Sequence, residues 1–88
     1  LVYAIIVYDI AVERLNAVRH VMKQYLNWVQ NSAFEGEITE GKLEELKLRV
    51  YDIIDKDSDS IVVYKISNPS WINKSIWGIE KGEVSTVV

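Results

Sequence analysis

The chain has no cysteine, and it has only one histidine, one proline and four glycines. Without cysteine there can be neither a disulfide nor a thiolate metal site. The lone histidine, His20, falls on the polar side of a helix-like segment and reads as a solvent-exposed residue rather than a general base. The glycines form no phosphate-cradling loop, and no nucleophile motif is present. No apolar run approaches the roughly 18 residues of a membrane span. No basic segment precedes an apolar one in the manner of a secretory signal. The expectation is a cytoplasmic protein with no membrane partner.

What remains is the material of one small globular domain over residues 1–88, 49% apolar and 26% charged. The net charge of −3 is unevenly spread. Residues 1–34 carry three basic and two acidic side chains, residues 35–59 four and nine, and residues 60–88 three and two. The acid is concentrated in the middle, so a polyanion could meet one face of the protein and avoid the other.

The first strand is expected over about Val2 to Tyr8. "AVERLNAVRHVMKQYL" follows as a helix, with Leu15, Val18, Met22, Tyr25 and Leu26 in one apolar stripe. "NWVQNSAFEGEI" has the form of a hairpin turning at Asn31-Ser32. Thr39 is placed to cap a second helix, from about Glu40 to Ile54, whose stripe is Leu43, Leu46, Val50, Ile53 and Ile54. "DKDSDS" reads as a solvated link, "IVVYKIS" as a second strong strand, "NPSW" as a loop and "SIWGIE" as a short last strand. The order predicts an α+β, ferredoxin-like βαββαβ fold. Its antiparallel sheet has both helices on one face and a short C-terminal strand in addition. The two most apolar strands, "VYAIIVY" and "IVVYKI", are expected at the sheet centre.

The opening strand raises the question of function. Val2, Ala4, Ile6 and Tyr8 point one way, and Tyr3, Ile5, Val7 and Asp9 the other. Two helices cover only one face. Burying one Ile or Val is worth about 1.5–3 kcal/mol, against a total stability of about 5–15 kcal/mol. A homodimer that packs its open faces together is therefore expected. Trp28, Trp71 and Trp77 read as core or interface anchors.

Asp9 closes that strand. It is either a cap for the following helix or a ligand-binding carboxylate at the carboxyl end of a strand. A lone carboxylate holds Mg²⁺ poorly. Pairing of open faces would bring two copies together. At about 4 Å and an effective dielectric near 20 their repulsion is about 4 kcal/mol, which a divalent cation or a shared proton relieves. "DKDSDS" is not a calcium loop, because Ser60 and Ile66 stand where glycine and glutamate are required. Neither long strand carries the aromatic motif of an RNA-recognition domain.

"YAIIVYDI", "YLNWVQNSAFEGEIT" and "DSIVVYKI", in this order and spacing, resemble the small CRISPR-associated protein Cas2. The resemblance spans nearly the whole chain. It implies a ferredoxin-like homodimer in which about residues 76–88 contribute to dimer contacts. It implies a role in spacer acquisition, in which the dimer bridges the integrase Cas1 and holds double-stranded DNA. It also implies a metal-dependent endonuclease, using Mg²⁺ or Mn²⁺, on single-stranded RNA or double-stranded DNA. Asp9 matches the family's catalytic and metal-site aspartate, supplied by both subunits. Tyr8, Arg14, Arg19, Ser32 and Phe34 match its neighbouring aromatic, basic and hairpin positions. Two other readings of the fold stand beside it: an autonomous, toxin-like endoribonuclease, and a ferredoxin-like small-molecule sensing module.

Overall fold

The structure is a computed structural model describing residues 1–82. Strand β1 (Val2–Asp9) leads through Ile10 and Ala11 into helix α1 (Val12–Met22). Strands β2 (Asn27–Gln30) and β3 (Ala33–Ile38) form the hairpin. Helix α2 (Glu40–Tyr51) and strand β4 (Ser60–Ile66) follow. The sheet is antiparallel in the order β2-β3-β1-β4. This is the ferredoxin-like arrangement. Among the described residues no helix is long and apolar enough to cross a membrane.

Local chemistry sets the element ends. The hairpin turns where Asn31 takes a left-handed φ of 41°, which asparagine tolerates. Val29 is an extra residue bulging between the Trp28–Phe34 and Gln30–Ala33 pairs. Thr39 caps α2, its Oγ1 accepting the Lys42 amide at 3.1 Å. Both helices stop earlier than the apolar stripes predict. Each tightens into a turn, with Tyr25 N donating to Met22 O and Ile53 N to Val50 O. The stripe residues past these ends stay on the core side.

The core lies between the helices and one face of the sheet. Val2, Ala4, Ile6 and Tyr8 of β1 meet Phe34 and Ile38 of β3, Val18, Val21 and Met22 of α1, and Leu46 and Val50 of α2. The helices are also tied by polar contacts. Tyr25 Oη donates to Glu45 at 2.9 Å, and Arg49 donates to Tyr25 Oη at 3.1 Å.

Two expectations are corrected. The centre of the sheet is β1 and β3, and β4 is an edge. Each β-α-β unit steps over one strand, so β1 lies between β3 and β4 whatever their relative apolarity. Residues 75–80 form no strand. Among the described residues that segment makes no ladder with any strand, and an isolated extended segment cannot satisfy its backbone groups as a strand does. Residues 83–88 of the expected tail lie outside the described residues. Trp71 and Trp77 are exposed, at 72% and 94%, so neither is a core anchor.

Candidate functional site

The alternation of β1 separates the predicted site residues. Asp9 projects from the sheet face opposite the helices and is exposed. Among the described residues no hydrogen bond caps α1 from a side chain at its N-cap, Ala11. Asp9 is therefore not that cap, and its carboxylate is left available. Around it the open face is apolar: Val7, Val62 and Tyr64 are 43%, 45% and 58% exposed. Val7 pairs with Val62, and Ile5 with Tyr64, across the β1–β4 ladder.

Tyr8 and Phe34 lie on the other face. Phe34 is fully buried, and its ring meets that of Tyr8 at 5.9 Å between centroids. Tyr8 Oη donates to the Asn31 carbonyl at 3.2 Å, as does Trp28 Nε1. Burial raises the Tyr8 pKa, with the Arg19 charge opposing the shift. Ser32 acts through its backbone, its carbonyl accepting the Tyr8 amide at 3.0 Å. These three residues build the hairpin and the core. They do not join Asp9 in one cluster.

The two arginines differ in availability. Arg14 is engaged: its Nε donates to Asp59 Oδ2 at 2.6 Å and its Nη2 to Asp59 Oδ1 at 3.1 Å, a bidentate pair. Arg19 stacks over the Trp28 ring at 5.6 Å, and its buried Nε has no hydrogen-bond partner. Among the described residues no carboxylate forms an ion pair with it.

Asp59 corrects the reading of "DKDSDS" as a uniformly solvated link. Its side chain has 0% exposure, while its backbone stays near the surface. It accepts from Arg14, from the Ala11 amide at 2.9 Å and from the Asp55 amide at 2.9 Å. Chiefly the Arg14 hydrogen bonds, then the Ala11 amide, hold its carboxyl well below the usual range. Sequence patterning missed Asp59 because it is one of three alternating aspartates. The available signal was its place immediately before an apolar strand.

A model of the family described as CRISPR associated protein Cas2 matches residues 2–74. The chain belongs to the Cas2 family. It is 53% identical over 79 residues to a protein of Thermodesulfovibrio yellowstonii named CRISPR-associated endoribonuclease Cas2 3, covering 90% of each chain. It is 45% identical over 82 residues to CRISPR-associated endoribonuclease Cas2 2 of Archaeoglobus fulgidus, covering 93% of this chain and 89% of that one. A Cas2 crystal structure superposes with a TM-score of 0.82 at 37% identity, covering 99% of this chain and 98% of that one. Among the described residues no three histidine, aspartate or glutamate side chains converge to hold an ion. At the end of β1 the one carboxylate is that of exposed Asp9, since its neighbours Tyr8 and Ile10 are apolar core residues.

Proposed function

We propose that this chain is a spacer-acquisition subunit of a CRISPR system: a homodimer that holds double-stranded DNA for the integrase Cas1. We further infer slow, metal-dependent phosphodiester cleavage at a pair of Asp9 carboxylates. The observation that carries the reading is Asp9 itself, exposed and without a protein partner among the described residues, beside the exposed apolar side chains Val7, Val62 and Tyr64. Pairing open sheet faces would bury Val7, Val62 and Tyr64. It would also bring two copies of Asp9 toward one another. The exposed Ile76, Trp77 and Ile79 support a role for the C-terminal segment in the same contact.

Mg²⁺ or Mn²⁺, when held by both Asp9 carboxylates, would neutralise charge developing on phosphate oxygens. Asp9 would hold and orient the cation and accept a proton from the attacking water. Arg19, on the helix side of the sheet and so away from Asp9, would meet a phosphate of the bound nucleic acid, whereas Arg14 is occupied by Asp59. The relatives' name, endoribonuclease, favours RNA as a substrate. This observation also keeps an autonomous endoribonuclease as the second reading.

Labelled RNA and duplex DNA, each with Mg²⁺, Mn²⁺ or EDTA, test both. Duplex retention that requires this chain and Cas1 together supports the acquisition role. Capture by the integrase alone rejects it. Cleavage should require metal and vanish in Asp9→Asn, and equal cleavage by that variant would place the activity elsewhere.

A further inference from the structure

The backbone at Asp9 is held from one side. The β1–β3 ladder ends at Val7–Ala33, whereas the β1–β4 ladder continues to Asp9–Ser60. The residue before Ser60 is Asp59, whose Oδ1 accepts the Ala11 amide two positions after Asp9. Ser60 and Asp59 thus fasten the chain at Asp9 and again at Ala11. Ile10, only 8% exposed, lies between them. Arg14, in the first turn of α1, closes the arrangement on Asp59.

The N-terminus of α1 needs this outside help. Ala11 and Val12 offer no capping side chain. In a local capping box, a side chain within the helix reaches back to the N-cap amide. Here a carboxylate 48 residues away accepts that amide. Asp59 receives four donated hydrogen bonds, two on each oxygen. An asparagine would turn an NH₂ group toward two of those donors.

We propose that Asp59 is a positioning residue for Asp9, acting through the Ala11 amide and Arg14. The proposal rests on the reading of Asp9 as the metal-holding carboxylate. Two carboxylates from separate chains must converge on one ion, so a small displacement of each loop is felt twice. Partners that orient metal ligands from outside typically change affinity by about 10- to 100-fold when replaced.

The test compares full-length wild type, Asp59→Asn and Val50→Ala. Val50, buried near the end of α2, makes no side-chain contact in the Asp59 hydrogen-bond set and controls for general destabilisation. Exchange of the Ala11 amide and the ¹³C signal of the Asp9 carboxyl are read by NMR, and Mn²⁺ binding is read by EPR. Asp59→Asn should expose the Ala11 amide, move the Asp9 signal and weaken Mn²⁺ binding at least about tenfold. Val50→Ala should leave the Asp9 signal and the Mn²⁺ midpoint near wild type. An unchanged Asp9 signal in Asp59→Asn overturns the positioning role, as does an unchanged Mn²⁺ midpoint or an equal effect of Val50→Ala. Failure of the wild type itself to bind Mn²⁺ overturns the metal-site reading and, with it, any positioning for metal. The NMR comparison then shows separately whether Asp59 orders the loop.

Discussion

Tyr8 and Asp9 are neighbours in the chain and face opposite sides of the sheet, Tyr8 in the core and Asp9 exposed. Their substitutions should therefore separate stability from activity. Tyr8→Phe removes a hydrogen bond to the Asn31 carbonyl and should cost about 1 kcal/mol. It should leave metal-dependent cleavage per folded molecule intact. Asp9→Asn should leave the melting temperature nearly unchanged and abolish cleavage. Thermal melts beside single-turnover assays check both halves.

Val7 and Val62 form a cross-strand pair on the open face. Val62→Glu places a charge there without disturbing the helix-side core. The variant should remain folded by circular dichroism and sediment as a monomer, while wild type sediments as a dimer. A variant that stays dimeric would show that the chains associate through another surface.

Asp59 should govern part of the acid response. A carboxylate with a depressed folded pKa contributes stability that is fully present above its unfolded value, about 3.9. That contribution is lost as pH falls through the folded value. The Arg14 and Ala11 hydrogen bonds set the downward direction here. Asp59→Asn should melt below wild type at pH 7, and the two curves should converge on acidification below about pH 4. Melting temperatures measured across pH give the comparison directly.

Arg19 and Arg14 should differ in the salt dependence of nucleic-acid binding. Arg19→Ala should weaken binding and lower the slope of log K against log salt by about one. Arg14→Lys should leave that slope nearly unchanged, because Arg14 is committed to Asp59. Fluorescence anisotropy at several salt concentrations distinguishes them.

Much of this protein could be read from patterning because the signals are local. Alternation marks β1, Thr39 marks the start of α2, and Asn31-Ser32 marks the turn, each through the conformations those residues favour. The fold class and the exposure of His20 follow in the same way. The resemblance also led to Asp9, but it grouped with it residues that the pleat sends elsewhere. Phe34 lies beside Tyr8 in the core, on the face away from Asp9.

The sequence by itself determined the elements, their order and the apolar excess on β1 and β4, since these depend on neighbours a few residues apart. Only the tertiary structure decided that β4 is an edge, because strand order depends on how each crossover passes over the sheet. Only it separated the two arginines. Their availability depends on Asp59 and Trp28, which the fold brings from distant positions in the chain. Asp59 itself was one acidic residue among several until folding closed Arg14, Ala11 and Asp55 around it. Charge count gives no sign of such a contact, because a carboxylate's role depends on which donors surround it in space.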